Sequence, residues 1–353
     1  MALTLHPSKP SVVLYRYDAS PFARKISNLL LLKNIPHYEV DVSRAPPRPE
    51  LSSLLGISYR RIPVLAIGND VYCDTSLIAS VLERAFPPEQ GYGTLHPDIR
   101  GSKTNPGLLT FEAISTTYAG EKLFQLAVAG LPWEALPDAF IKDRSSFFGA
   151  PIDPQAMAAR RPTAFSTLSS HLSLLESQLT DGREWLLSTD SPSVADISIH
   201  FIYNWIAPFP AVKKSNLLDA HRFPLATAWL SRVSMFLAQS KKAGKGAVTK
   251  ATGQEAAQLI TATSGTVHAL TFDAVEAQRL QVTAGMHVAI APEDTGRNVA
   301  TYGKLVGLNR SEIVIETKGT EGSVRCHFPR IGFTVKVNEN VFSKVVDPVK
   351  SKI

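Results

Sequence analysis

The chain has 353 residues, of which 44% are hydrophobic and 19% are charged, and its formal net charge is +6. This composition is typical of a soluble globular protein of two or three domains, and the mild positive charge favours anionic small ligands over nucleic acid, since no Lys/Arg-rich arm accompanies it. We expect no membrane association, because no stretch approaches 18 uninterrupted apolar residues.

The first 90 residues alternate the signals of strands and helices. We expect strands at Ser11–Tyr17, Pro36–Val42, Ile62–Ile67 and Asp70–Tyr72, and helices at Pro21–Asn34 and Thr75–Phe86. A βαβ unit followed by a ββα unit is the thioredoxin-like arrangement. Residues 11–90 are therefore predicted to form a thioredoxin-like α/β domain.

The middle of the chain predicts an all-α domain over residues 108–240. A stripe of leucines at helical spacing supports it, formed by Leu168, Leu172, Leu175 and Leu179. The Gly- and Pro-rich residues 91–107 are predicted to be a linker before this domain, and Lys241–Gly265 a second linker with one short helix.

Residues 266–350 change in character. Short runs of alternating hydrophobicity are separated by turn signals such as Pro292–Gly296 and Lys318–Gly322. Strands at this spacing are typical of a small all-β barrel or sandwich. We expect a small β-barrel as the third domain.

The segment Ser20-Pro21-Phe22 opens the first predicted helix. Serine is a favoured N-cap and proline a favoured first helical residue, so a structural role explains both. A helix N-terminus also stabilises anions, and a serine hydroxyl there can donate a hydrogen bond to a thiolate. Ser20 is thus a candidate either for a helix cap alone or for a thiol-activating group.

Two further segments could complete a ligand site. A cis bond at Ile62-Pro63 would expose the Ile62 backbone to an extended peptide, and an ordinary trans proline on an edge strand is the alternative. Beside it, Arg61 could hold a carboxylate or be solvated. At the next helix start, Thr75 and free N–H groups could bind a carboxylate while Asp74 pairs with an ammonium. An amino-acid head, an extended middle and a thiol together describe glutathione.

These segments resemble the motifs of the glutathione transferases. Ser20-Pro21-Phe22 is similar to the serine motif of the plant tau class, and Tyr59–Leu65 (YRRIPVL) is similar to that class's His-Lys-Lys-Ile-Pro-Val-Leu. Asp74-Thr75 stands where the family has Glu-Ser, and Ser193–Asp196 matches the capping box of the family's helical domain. The resemblance, to a tau/theta-like serine class, covers roughly residues 11–240.

The resemblance implies glutathione as cosubstrate, a cis bond at Pro63 and no metal. It implies that Ser20 stabilises the thiolate, and that the glutathione contacts come from Arg61, Ile62, Pro63, Asp74 and Thr75. Tyr15 and Tyr17 are rival thiol donors, because some classes use a tyrosine near the end of the first strand.

The substrate would be a small apolar electrophile bound between the first two domains. Phe22, Phe111 and Tyr118 could line its pocket, although aromatic residues at helical spacing are more often core. Conjugation of the thiolate to this electrophile is the expected reaction. Glutathione-dependent cis–trans isomerisation is one alternative, and a non-catalytic or glutathione-independent binding role is another.

Several features depart from the family pattern. Asp74 is shorter than the family's Glu, residues 132–162 are inserted into the helical domain, and residues 266–350 have no counterpart in ordinary members. The extension leaves open whether the family's homodimer forms. Such an extended chain resembles fungal members, some of which serve secondary metabolism.

The two cysteines, Cys73 and Cys326, lie far apart in sequence, which suits a reducing compartment. The N-terminal residues MALTLHPSKP lack the apolar region of a signal peptide. We therefore expect a cytoplasmic protein. The residues Ser351-Lys352-Ile353 differ in one side chain from the Ser-Lys-Leu peroxisomal address, so the peroxisome is the alternative.

Overall fold

One mixed sheet runs through the computed structural model, which describes residues 10–101, 114, 117–263 and 269–337. Its strands are β1 (Val12–Arg16), β2 (His37–Asp41), β3 (Val64–Ile67), β4 (Asp70–Cys73), β5 (Val248–Lys250), β6 (His287–Pro292), β7 (Thr301–Leu308), β8 (Glu312–Lys318), β9 (Ser323–Pro329) and β10 (Phe333–Val337). Their order across the sheet is β10-β6-β7-β8-β9-β4-β3-β1-β2-β5.

The α-helices frame this sheet and form a separate helical layer. They are α1 (Pro21–Leu32), α2 (Pro49–Ser52), α3 (Thr75–Ala85), α4 (Phe124–Ala127), α5 (Asp138–Phe148), α6 (Pro154–Ala159), α7 (Arg161–Gln178), α8 (Val194–Ile206), α9 (Pro210–Lys214), α10 (Pro224–Lys242), α11 (Gly253–Thr261) and α12 (Ala274–Leu280). None of the helices in the described ranges is long and apolar enough to cross a bilayer.

The N-terminal part has the thioredoxin-like arrangement. Strand β1 pairs in parallel with β2 and antiparallel with β3, which forms a hairpin with β4. Helix α1 buries Ile26, Leu29 and Leu30 because these apolar residues recur at helical spacing. They share one core with α3 and with the helices of the middle region.

The middle region is helical, and its leucine stripe faces the core as the spacing predicted. Leu168 and Leu172 are fully buried, and Leu175 and Leu179 are nearly so. Helix α8 begins with the predicted capping box, in which Asp196 accepts hydrogen bonds from the Ser193 N–H and from the Trp229 indole. This buried carboxylate therefore joins the start of α8 to α10.

The expected C-terminal β-barrel is wrong, because the strands form an open sheet. Strands β6 to β9 follow one another antiparallel and β10 pairs with β6, but β9 pairs with β4 of the thioredoxin-like part. A barrel would need β9 to close onto β10, and β9 uses that edge for β4 instead. The C-terminal strands therefore extend the first sheet.

A buried cluster of charges fastens this junction. The imidazole of His327 on β9 lies 3.1 Å from an Asp70 carboxylate oxygen on β4 and 3.0 Å from a Glu312 oxygen on β8. Burial lowers the pKa of His327, but the hydrogen bonds and charges of the two carboxylates outweigh it and raise the pKa overall. The imidazole thus joins β8 and β9 to β4, which lies about 240 residues earlier in the chain.

The segment expected to be a second linker is part of the folded core. Strand β5 pairs in parallel with β2 and forms the other edge of the sheet. Helix α11 starts at a capping box of Thr252 and Glu255 and buries Ala256, Ala257 and Ile260. Tertiary pairing of three residues with β2 overrides the Lys/Gly-rich composition that suggested a linker.

Candidate functional site

Ser20 lies where β1 turns into α1, and it is 2% exposed. Its side-chain oxygen accepts a hydrogen bond from the Ala23 N–H at 3.1 Å, so the helix cap predicted from the sequence is present. The cap uses only a lone pair, which leaves the hydroxyl proton free to be donated. That proton points to the Ile62 carbonyl at 3.5 Å, a distance at which a hydrogen bond is weak. A stronger acceptor beside Ser20 could therefore take it.

The Ile62–Pro63 peptide bond is cis, as the resemblance implied. Strand β3 begins only at Val64, so Ile62 lies outside the ladder. Its N–H has no hydrogen-bond partner among the described residues, and its carbonyl meets only the Ser20 hydroxyl. An unpaired backbone N–H and a weakly engaged carbonyl on one residue suit an extended peptide that binds as an added strand.

Asp74 and Thr75 lie at the start of α3. The Asp74 carboxylate caps the helix by accepting from the Ser76 N–H at 3.0 Å and from its hydroxyl at 2.7 Å. The backbone of Asp74 has φ 77° and ψ 138°, a conformation that residues other than glycine rarely adopt. The Thr75 hydroxyl has no partner within the described part of the chain and is half-buried. Strain and an unpaired donor at a helix N-terminus are typical of a ligand site.

Arg61 holds carboxylates, but they belong to its own chain. Its guanidinium bonds the carboxylate of Asp294 and donates to the Thr295 carbonyl at 3.1 and 2.8 Å. It also lies 3.8 Å from an Asp74 carboxylate oxygen. Asp294 and Thr295 belong to the segment 293–300, which connects β6 and β7 and which we call the β6–β7 loop. The C-terminal sheet therefore reaches the candidate site.

The neighbouring arginine fixes the inserted helix α5. Arg60 donates to the Asp143 carboxylate at 2.6 Å and to the Ser146 hydroxyl at 3.1 Å. The β6–β7 loop closes onto the same helix, because the Gly296 N–H donates to the Phe147 carbonyl at 2.7 Å. A cavity of about 370 Å³ opens beside this contact, lined in part by Arg48, Tyr59 and Val299.

The predicted electrophile pocket contains a cluster of aromatic rings. Phe22 packs against Phe124 at 4.8 Å and against Phe201 at 5.2 Å between ring centroids. Tyr118 lies in a π-helical turn, and its hydroxyl bonds His171 in α7. The rings of the cluster are only partly buried at Phe22 and Phe124, so an apolar surface faces the N-terminus of α1. Phe111, also proposed for this pocket, lies outside the described residues.

The rival thiol donors pack in the core that also contains Ala23 and Ile62, the two partners of the Ser20 hydroxyl. Tyr15 is fully buried in the core on the sheet face opposite α1 and α3, where burial and then the Glu50 charge raise the pKa of its hydroxyl. Tyr17 packs against the same core. Tyr17 lies just beyond β1, and its backbone carbonyl accepts a hydrogen bond from the Ser20 N–H at 3.0 Å, so the two tyrosines remain rival candidates near Ser20.

A buried lysine adds a charge that the sequence interpretation missed. Lys25 in α1 is 1% exposed, and its ammonium lies 5.8 Å from the centroid of the Phe201 ring. It has no hydrogen bond or ion pair with any described residue. Burial lowers the pKa of Lys25 to about 8, although the nearby Asp74 charge partly offsets this. Lys25 lies in the second turn of α1, five residues after Ser20.

Comparisons with known proteins agree with this geometry. A family model described as the N-terminal domain of glutathione S-transferase matches residues 14–90. The structure of a glutathione-transferase-like protein from Pseudomonas syringae is similar over 93% of this chain and 100% of its own, at 25% identity and a TM-score of 0.68. Residues 14–90 therefore belong to the family of glutathione S-transferase N-terminal domains, and the chain as a whole has the fold of a glutathione-transferase-like protein.

Further comparisons cover the middle of the chain and other solved structures. A model described as a domain of unknown function matches residues 127–242. A rice glutathione transferase solved in complex with glutathione shares 17% identity over 72% of this chain and 97% of its own, with a TM-score of 0.48. No curated protein sequence matches the chain. In the described residues, no group of three or more His, Cys, Asp or Glu side chains could hold a metal ion.

The structure brings several of the predicted site residues together. Ser20 contacts Ile62, and Arg61 lies beside Asp74. Lys25 could have been found from the sequence, because it falls on the same helical face as Phe22 and Leu29. Asp294 could not, because no local pattern relates it to an arginine 233 residues away.

Proposed function

We propose that the protein is an enzyme that activates the thiol of glutathione at Ser20 and transfers it to a small apolar electrophile. The observation that carries this proposal is the contact between the Ser20 hydroxyl and the backbone of Ile62, which lies outside the ladder of β3. An extended cysteinyl peptide paired with Ile62 would bring its sulfur to the free proton of Ser20. Family membership supports glutathione as the cosubstrate.

The chemistry follows from these groups. The glutathione thiol loses its proton to solvent, and the Ser20 hydroxyl donates a hydrogen bond to the thiolate. The sulfur then attacks the electrophilic carbon and a carbon–sulfur bond forms. In a substitution the leaving group departs with its electron pair, and in an addition the π-electron pair moves onto the acceptor, which takes a proton from water. The aromatic cluster at Phe22 and Phe201 would hold an apolar acceptor within reach, and proximity would contribute much of the rate.

Isomerisation is the second candidate, because it uses the same thiolate. The sulfur would add to a conjugated double bond, the bond would rotate, and the sulfur would leave again. The partnerless Lys25 favours this candidate, since a buried cation would stabilise the anion formed on addition. A non-catalytic binding role is the third candidate. The ion pair of Arg61 with Asp294 favours it, because this cation is then less available to a glutathione carboxylate.

The deciding experiment incubates the protein with glutathione and two probes, 1-chloro-2,4-dinitrobenzene and a cis-configured conjugated ketone. A product with the added mass of glutathione supports transfer, and a trans ketone of unchanged mass supports isomerisation. Binding of glutathione without turnover of either probe would support the binding role. Failure to bind glutathione at all would overturn the proposal.

The biological setting stays a proposal. A role in secondary metabolism rests on the resemblance to extended fungal members. The family commonly dimerises, and a homodimer of this chain would have to leave β4 paired with β9.

We propose a cytoplasmic location, with the peroxisome as the alternative. The terminal residues 351–353, which suggest the peroxisome, lie outside the described part of the chain.

A further inference from the structure

The contact between Arg61 and the β6–β7 loop occupies the cation that, in the sequence analysis, could hold a ligand carboxylate. Arg61 is the residue beside the Ile62 backbone, where an extended peptide would lie. Its guanidinium bonds the Asp294 carboxylate and the Thr295 carbonyl. An internal carboxylate thus stands where the carboxylate of a thiol peptide is expected.

The loop is positioned by its own contacts and does not depend on Asp294. The Gly296 N–H donates to the Phe147 carbonyl at 2.7 Å, and the Glu293 N–H donates to the Gly332 carbonyl at 2.9 Å. These backbone bonds lie on both sides of Asp294. The side chain can therefore leave Arg61 while the loop stays in place.

The ion pair is also weak enough to be exchanged. The Asp294 side chain is 67% exposed, whereas Arg61 is 20% exposed. Solvent screens an exposed carboxylate, so such pairs contribute little net stability. Arg61 keeps Asp74 at 3.8 Å and the Thr295 carbonyl when Asp294 departs. A ligand carboxylate could then take the vacated face of the guanidinium.

We propose that Asp294 is a specificity-determining residue that competes with the carboxylate of the thiol ligand for Arg61. This inference rests on the proposed function of the same site. The C-terminal sheet thereby sets the affinity for the cosubstrate, and the site discriminates thiol peptides by whether they carry a carboxylate able to displace Asp294. A ligand with esterified carboxylates cannot compete and binds independently of this residue.

Calorimetric titration of the full chain tests the proposal without requiring turnover. The probes are S-methylglutathione and its diethyl ester, which lacks both free carboxylates. The variants are Asp294→Asn, which keeps the side-chain volume, and Glu293→Gln, the matched change at the exposed neighbour. Melting temperatures of both variants check that the fold is retained.

We expect Asp294→Asn to tighten the binding of S-methylglutathione by about two- to fivefold, the range for an exposed ion pair. The Kd of the diethyl ester should not change, and Glu293→Gln should change neither Kd. Weaker or unchanged binding of S-methylglutathione by Asp294→Asn would overturn the inference. If wild type and all variants fail to bind either probe, the proposed function itself is wrong.

Discussion

The two cations of the candidate site stand in opposite surroundings. Lys25, at the Ser20 end, is buried without any carboxylate bonded to it among the described residues. Arg61, at the other end, bonds Asp294 and lies near Asp74. Positive potential therefore remains available where a thiolate would form and is largely neutralised where a carboxylate would bind. Under the proposed function, the site would stabilise the sulfur anion at the Lys25 end and select the ligand's carboxylate at the Arg61 end.

Removing the hydroxyl at the Ser20 end should have the largest effect. We expect Ser20→Ala to lower thiol reactivity at least about tenfold, because the thiolate loses a charge-assisted hydrogen bond of roughly 1.4 kcal/mol. Ultraviolet titration of glutathione bound to each protein measures the thiol pKa directly. A pKa that stays the same in both proteins, together with a lower melting temperature, would leave Ser20 as a helix cap only.

Removing the buried cation should have a smaller effect on the reaction. We expect Lys25→Met to slow turnover by about fivefold, since a partly desolvated charge near the thiolate is lost. The bound-thiol pKa should rise by less than in Ser20→Ala. Arg24→Met is the matched control, because Arg24 is the exposed neighbour on the same helix. Equal effects of the two changes would show that Lys25 has no special role.

The same lysine should make stability depend on pH. Its pKa is lowered from 10.5 to about 8, so the unfolded chain binds more protons between these values and wild-type stability rises with pH there. Lys25→Met should therefore stabilise the protein at pH 7, by up to about 3 kcal/mol, and this gain should vanish above pH 10.5. Urea unfolding of both proteins at pH 7 and pH 10.5 measures the difference. A constant difference would contradict it.

The smallest effect is expected from Arg60, the neighbour of Arg61. Because the Arg60 side chain bonds α5 in the described part of the chain and also lines the cavity, Arg60→Ala should change glutathione affinity by less than about twofold. Hydrogen exchange in residues 138–148 should increase, since the helix loses its ion pair. A large loss of affinity would instead show that α5 and the cavity beside it take part in ligand binding.

Much of the candidate site could be predicted from the sequence, because its helix caps and motifs are each formed by residues close together in the chain. A serine before a proline predicts an N-cap, and the cap at Ser20 is there. The Ile-Pro and Asp-Thr segments were found by their resemblance to family motifs, and the structure places Ile62 against Ser20 and Asp74 beside Arg61. The leucine stripe of α7 and the capping box of α8 follow from the same short-range rules.

The parts that the sequence did not predict depend on pairing between distant segments. Hydrophobic alternation marks β9 as a strand, but it does not say whether its free edge meets β10 or β4. Strand β5 was not predicted as a strand, because its three residues lie in a segment that looks like a linker and gain their partner only in β2. Local sequence therefore determined most of the elements and the caps of this protein. Tertiary structure alone decided that the C-terminal strands extend the first sheet and place Asp294 on Arg61, because strand partners and long-range ion pairs leave no periodic signal in the chain.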